Sequence, residues 1–144
     1  MSKAYRSKTL RKGCEYMELH ASGEDYLEAI LILEKKKGSA RSVDVAEHLG
    51  VTKPSVSRAV ALLKEGGFLH TCDNFLYLTD TGREIAVKIY ERHCFFKHRL
   101  ISAGVDEKTA EKEACFLEHG LSDDSFEKIK RAAADDSQNE GATD

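Results

Sequence analysis

The stretch Val45-Ala46-Glu47-His48-Leu49-Gly50-Val51-Thr52-Lys53-Pro54-Ser55-Val56-Ser57 decides the fold. Gly50-Val51-Thr52 is a three-residue turn between two segments with helical signals. Upstream, Ser42 is placed to cap a short helix over 43–49 that Gly50 closes. Downstream, Thr52 caps a second helix whose first turn tolerates Pro54. Val56, Ala59, Val60 and Leu63 recur at i, i+3, i+4 and i+7, one face of that helix, and Gly66-Gly67 stops it. Ala46, Leu49, Val51, Val56 and Val60 supply the apolar set that packs the two helices together.

Beyond Gly67 the period changes. Residues 68–71 and 75–78 are short β-prone runs around a turn-like Cys72-Asp73-Asn74, which predicts a hairpin. Helix, turn, helix and hairpin together are the layout of a winged helix-turn-helix. The outer face of the second helix carries Lys53, Ser55, Ser57, Arg58 and Lys64. Cations and short hydroxyls near a helix N-terminus reach phosphates and base edges in a major groove, so these five are the candidate DNA contacts.

Further outward the chain stays helical. Ser22-Gly23-Glu24-Asp25 opens a helix with a cap and an acidic first turn. Its apolar face is Tyr26, Leu27, Ile30, Leu31 and Leu33, and Gly38 ends it. Thr81-Gly82-Arg83-Glu84 reads as a capping box before a long helix to about 102. Asp106 caps another that runs to His119-Gly120, and Ser122 with Asp123 and Asp124 caps a last one to about 134. The expected fold class is mainly α, a winged helix-turn-helix domain followed by an all-helical dimerisation domain. The expected divisions are a basic arm over 1–21, the winged domain over 22–90, a helical metal-binding and dimerisation domain over 91–134, and an acidic tail over 135–144. The arm reads as frayed.

Composition constrains the partners. The 144 residues carry 22 Lys+Arg and 25 Asp+Glu, a net charge of −3, with 41% hydrophobic residues. That suffices for a packed core and excludes wholesale disorder. The longest apolar run is five residues, over 29–33, far short of the roughly 18–20 a membrane span needs. The basic N-terminus has no apolar stretch after it, so a secretory signal is not expected. Cys14, Cys72, Cys94 and Cys115 form no C-x-x-C pair, which predicts a reduced, cytoplasmic chain. A net negative total is unusual for a DNA binder, but residues 52–64 hold three bases and no acid. The arm over 1–20 holds five bases and two acids. A chain of this balance binds DNA weakly by default and leaves room for a switch.

Cys115, Glu118 and His119 stand at i, i+3 and i+4, so a helix aligns a thiolate, a carboxylate and an imidazole on one face. Such a set can hold a divalent transition metal. Alone it leaves an incidental reading open, because buried Cys is often only a small hydrophobe. Asp25 and Glu28 form a second i, i+3 pair, and His93 sits mid-helix beside Cys94, Phe95 and Phe96. Spacing does not bring these three groups together; only a fold can.

The sequence over 23–30, the helix-turn-helix over 45–57, Leu78-Thr79-Asp80-Thr81-Gly82, and the segment over 115–123 resemble, in order, motifs of the diphtheria-toxin-repressor and manganese-transport-regulator family. The likeness runs over about 22–134 and is specific. It implies a homodimeric repressor that binds a palindromic DNA operator, matched to its two-fold symmetry, when a divalent metal is bound. By position it implies Asp25, Glu28, His93, Cys115, Glu118 and His119 as metal ligands, with Glu111 as a further contributor. In the manganese-responsive branch the position of Cys115 is glutamate; in the iron-responsive branch it is cysteine, but the position of Asp25 is methionine. This chain mixes hard and soft donors. Fe²⁺ or Mn²⁺ is the favoured effector, with Zn²⁺, Co²⁺ and Ni²⁺ also suited to the donors. Lys97 stands where the iron branch's ancillary site has a carboxylate, and an ammonium repels a cation. The SH3-like domain of that branch is not expected here, so the likeness is to the shorter, manganese-type architecture.

The sequence leaves two rival classes. One is a winged-helix regulator answering an organic ligand or thiol oxidation. The other is a small metalloenzyme with Glu118 as base, against which no activated nucleophile, phosphate loop or H-E-x-x-H motif is present. The expectation is no enzymatic activity, no organic substrate and no membrane.

Overall fold

The computed structural model, which describes residues 6–12 and 15–139, has four strands in two hairpins and six helices among those residues. The order is β1 (Arg6–Lys12), β2 (Glu15–His20), α1 (Ala21–Lys37), α2 (Ser42–Leu49), α3 (Lys53–Glu65), β3 (Leu69–Cys72), β4 (Phe75–Leu78), α4 (Asp80–Ser102), α5 (Glu107–Leu117) and α6 (Asp123–Asn139). The mainly helical reading holds. The frayed arm does not: β1 and β2 pair antiparallel from Arg6 opposite His20 to Lys12 opposite Glu15. Strand pairing supplies backbone hydrogen bonds that no apolar period in the sequence announces.

The helix-turn-helix forms as read. Thr52 is the N-cap of α3, its hydroxyl accepting the Ser55 N–H at 3.3 Å. Gly50 closes α2 at φ +66, a conformation that favours glycine. Ser42 is the first helical residue of α2 rather than its cap; the Asp44 carboxylate instead accepts the Arg41 N–H at 3.2 Å. β3 and β4 pair antiparallel around Asp73 and Asn74, both at positive φ, as a two-residue turn whose twist suits a hairpin. Leu76 N–H donates to Ala40 O at 2.8 Å, so the wing is anchored to the segment between α1 and α2.

The core lies between α1, α2, α3 and the wing. Leu27, Ile30, Val45 and Val56 are fully buried there, with Leu63, Phe68, Leu76, Leu78 and Ala86 around them. α4 starts earlier than the Thr81 box suggested. Thr79 is its N-cap, accepting from Gly82 N–H at 3.1 Å while its hydroxyl donates to Gly67 O at 2.7 Å. One hydroxyl thus fastens the start of α4 to the end of the recognition helix. Gly82 is required at that junction: a Cβ there would fall 1.9 Å from Phe68 O.

α4 is long enough to serve both halves. It packs on α1 and on α5. α5 begins at its expected cap, Asp106, whose carboxylate accepts the Thr109 N–H at 2.9 Å. It ends at Leu117, short of the expected His119, but Glu118 is its C-cap at helical φ and ψ, so Cys115, Glu118 and His119 still present their donors to one side. α6 runs past its expected end near 134 to Asn139. Phe95, Phe96 and Phe126 gather where α4 meets α6, with ring centroids 5.4–6.0 Å apart. Among the described residues no helix is long and apolar enough to cross a membrane.

Candidate metal centre and nucleic-acid interface

Three elements converge on one buried cluster. The first turns of α1 bring Glu24, Asp25 and Glu28; mid-α4 brings His93; the end of α5 and its following turn bring Cys115, Glu118 and His119. One donor atom from each of Asp25, Cys115, Glu118 and His119 lies within 4.8 Å of the others, and the same is true of Glu28, His93 and Glu118. Glu118 belongs to both sets and is 0% exposed. All six ligand positions implied by the family likeness therefore meet, although Asp25 and His119 are 94 residues apart in the chain.

The distances describe a shared network. His119 Nε2 lies 2.6 Å from Asp25 Oδ1 and 3.2 Å from Glu118 Oε1, and its Nδ1 lies 3.0 Å from Glu24 Oε2. His93 Nδ1 lies 2.7 Å from Glu118 Oε2 and 3.9 Å from Glu28 Oε1, and its Nε2 lies 2.8 Å from Glu111 Oε1. Cys115 Sγ is 3.9 Å from Asp25 Oδ1. Lys97 Nζ holds the other oxygen of Glu111 at 2.8 Å.

Burial sets the charge. It pushes the Glu28 carboxyl up to about 9, reinforced by the hydrogen bond and negative charge of Glu118. Hydrogen bonding to Glu118 raises His93. Burial alone would lower His119, but its bonds to Asp25, Cys115, Glu118 and Glu24 outweigh that and raise it. Burial would likewise raise Glu118, yet hydrogen bonds with His119, His93 and Glu28 hold it below the usual range. Hydrogen bonding to His119 lowers Cys115, whereas burial and the charges of Glu118, Asp25 and Glu28 together raise it.

These residues fit a divalent cation. Carboxylates, imidazoles and a thiol converge from three elements, with Glu28, His93, Glu118 and His119 buried, Asp25 half-buried and Cys115 at the exposed edge. The buried Glu118 Oε1 has no aligned hydrogen bond, His119 Nε2 standing beside it at 3.2 Å as an ion-pair neighbour only. A cation is the group that would satisfy such an oxygen.

Two further residues matter that sequence reading passed over. Glu24, which the sequence shows only as part of an acidic first turn, is 3% exposed. Arg92 is 6% exposed; it donates to Glu118 O at 3.2 Å and to Leu121 O at 2.7 Å, pairs with Asp123, and lies over the Phe126 ring. It clamps the turn that carries Glu118 and His119. No local pattern signals a buried arginine in a charged helix; only the tertiary partners do.

In the winged half, Lys53, Ser57, Arg58 and Lys64 are exposed on α3, and Ser55 is half-buried. The Ser55 hydroxyl is 2.9 Å from the Thr52 hydroxyl, within the cap. Lys64 Nζ donates to Thr71 on the wing at 3.0 Å, which joins recognition helix and wing into one surface.

The fold and the matched domains define a metal-dependent transcriptional repressor. Residues 18–73 match the sequence model described as iron dependent repressor, N-terminal DNA binding domain, and residues 79–138 match iron dependent repressor, metal binding and dimerisation domain. The chain belongs to the iron-dependent repressor family. The HTH-type transcriptional regulator MntR of Bacillus subtilis strain 168 is 36% identical over 109 residues, 75% of this chain and 77% of that protein. The transcriptional regulator MntR of Escherichia coli O157:H7 is 31% identical over 108 residues, 74% of this chain and 70% of that protein. Among solved structures, a manganese-dependent transcriptional repressor in complex with manganese superposes with TM-score 0.69 at 27% identity, covering 76% of this chain and 51% of that one. The chain thus spans about half the length of that repressor.

Proposed function

We propose that this chain is a homodimeric, cytoplasmic repressor of metal-ion homeostasis genes that binds a palindromic operator when Fe²⁺ or Mn²⁺ is bound. The observation that carries the reading is the meeting of α1, from the DNA-binding half, with the α5 turn through Asp25, Glu28, Glu118 and His119. The winged unit is 22–90 and the metal-binding and dimerisation unit 91–134, with α4 running through both, the basic arm 1–21 before them and the acidic tail 135–144 after. Asp25, Glu28, His93, Cys115, Glu118 and His119 are the ligands. Lys53, Ser55, Ser57, Arg58 and Lys64 contact DNA.

A bound divalent cation supplies the positive charge that lets these donors approach one another without protons. Asp25 and Glu28 then hold the first turns of α1 against the α5 turn, and His93 ties both to α4. Because α1 packs in the core that carries α3, this fixes the placement of the recognition helix. In a two-fold dimer two such helices must meet successive major grooves about 34 Å apart. Metal and DNA then favour each other by the same factor. Phe116, 80% exposed, and its neighbour Leu117 are the apolar side chains offered to the second subunit. The chain turns over no organic substrate and is not an enzyme.

The test is an anaerobic selection of duplexes from a random library with Mn²⁺, Fe²⁺, Co²⁺, Ni²⁺ or Zn²⁺, or with chelator. Enrichment of a palindrome with Mn²⁺ or Fe²⁺ and none with chelator is expected, together with loss of that binding in a Glu118→Ala, His119→Ala double variant. Metal-dependent binding that survives the double variant overturns the reading.

A further inference from the structure

The two histidines of the centre are gripped in opposite senses. His119 turns Nε2 inward, to Asp25 and Glu118, and Nδ1 outward, to the buried Glu24 at 3.0 Å. His93 turns Nδ1 inward, to Glu118 and Glu28, and Nε2 outward, to Glu111 at 2.8 Å. An imidazole that ligates a metal does so through its unprotonated nitrogen, so its other nitrogen must carry the proton. A carboxylate facing that other nitrogen accepts the N–H, selects the tautomer and fixes the ring plane.

Resting on the metal-site reading above, we propose that Glu24 and Glu111 are positioning residues and not ligands: Glu24 holds His119 as the Nδ1–H tautomer and Glu111 holds His93 as the Nε2–H tautomer. Opposite ring nitrogens then face the ion. The two outer acids reach this role by different means. Glu24 shares the first turn of α1 with Asp25 but points to the far nitrogen of the same imidazole, so neighbouring residues grip His119 from both sides. Glu111 is an exposed residue of α5 made into an outer acid by Lys97, whose ammonium takes Oε2 at 2.8 Å while His93 takes Oε1. With an ammonium on one oxygen and an imidazole on the other, both oxygens of Glu111 are engaged on the outer side of His93. Lys97 thereby closes this end of the centre with a tethered positive charge, which limits the centre to the donors on the inner side.

The experiment uses the full chain. Zn²⁺-loaded, ¹⁵N-labelled protein is examined by long-range ¹H–¹⁵N spectra of the histidine rings, and Mn²⁺ affinity is measured by calorimetry. The expected spectra show Zn²⁺ on Nε2 of His119 and on Nδ1 of His93, each with the opposite nitrogen protonated. Glu24→Ala and Glu111→Ala are expected to weaken Mn²⁺ binding by about 10–100-fold, and Glu24→Gln and Glu111→Gln, which keep an acceptor oxygen, to recover most of it. Glu111 is exposed, so its variants keep the fold even where Glu24→Ala loosens it. Zn²⁺ on the other nitrogens overturns the proposal. So does unsubstituted affinity in both alanine variants while Glu118→Ala loses binding, a result that leaves the ligand set standing. A chain that takes up neither Mn²⁺ nor Zn²⁺ overturns both readings.

Discussion

Asp25 Oδ1 stands 2.6 Å from His119 Nε2, which joins the first turn of the DNA-binding half to the turn after α5. Each residue has a second neighbour of the centre: Cys115 Sγ beside Asp25, and Glu118 Oε1 beside His119. An ion placed among them would link the two halves by way of short side chains with little freedom. Asp25→Ala should therefore weaken Mn²⁺ binding by at least the roughly 100-fold upper range for losing an outer partner. Calorimetric titration of the variant checks this, and unchanged affinity would remove Asp25 from the ligand set.

The metal-free and metal-loaded chains should answer pH in opposite directions. Glu28 is raised to about 9, so its contribution to stability is fully present below the ordinary carboxyl value near 4.5. It is lost as pH climbs toward 9. His93 and His119 are raised as well and lose their contribution in the same direction. Glu118 is lowered, so its contribution is lost only in acid. The metal-free chain should lose thermal stability between about pH 6 and 9, whereas Mn²⁺ affinity should rise over the same interval as protons leave the donors. Melting curves with chelator and with saturating Mn²⁺, recorded across that interval, read both trends.

Arg92 is the one buried guanidinium among the described residues, and its hydrogens serve two backbone carbonyls and Asp123. Arg92→Met keeps the apolar bulk against Phe126 but leaves the carbonyls of Glu118 and Leu121 unpaired. The Glu118 carbonyl is buried and the Leu121 carbonyl part-buried; an unpaired buried group costs about 1–3 kcal/mol and a part-hydrated one less, so a loss of about 2–4 kcal/mol is expected in urea unfolding of the metal-free chain. Mn²⁺ affinity should fall with it, because the turn that carries Glu118 and His119 loses its clamp.

Gly82→Ala sets a Cβ against Phe68 O, where the structure leaves 1.9 Å. The backbone of α4 must move away from the end of α3, and the Thr79 hydroxyl loses its reach to Gly67 O. A stability loss of about 1–3 kcal/mol from overpacking is expected in the same unfolding assay, with weakened DNA binding even at saturating Mn²⁺.

Arg58 and Lys53 are exposed on α3, open to phosphate. If each makes one phosphate contact, Arg58→Ala should reduce the slope of log affinity against log salt by about 1. The salt dependence of duplex binding by fluorescence anisotropy measures this directly.

Much of the fold was legible because its signals are local. The Thr52 and Asp106 caps, the Gly50 closure and the Asp73-Asn74 turn each follow from one or two residues and their nearest neighbours. The misplacements share a non-local cause. Thr81 with Glu84 makes a sound capping box, but Thr79 wins because its hydroxyl also reaches Gly67, twelve residues away. The helical extension of α5 to His119 was overruled where Arg92, from another helix, takes the Glu118 carbonyl. The pairing of β1 with β2 likewise depends on a partner strand and leaves no periodic trace. At the centre, the Cys115, Glu118 and His119 spacing was readable, whereas the arrival of Asp25, Glu28 and His93 beside them came from a family likeness until the packing of α1 on α4 supplied the geometry. Glu24 remained hidden because an acid in the first turn of a helix already has a sufficient local reason to be there.

The most direct measurement is amide hydrogen exchange of the full chain with chelator and with saturating Mn²⁺, followed over residues 24–31 of α1 and 115–121 around the α5 turn. Slower exchange in both segments together on adding Mn²⁺, abolished in Glu118→Ala, is the expected result. Protection confined to the α5 turn, with α1 unchanged, would contradict the claim that the metal ties the DNA-binding half to the centre.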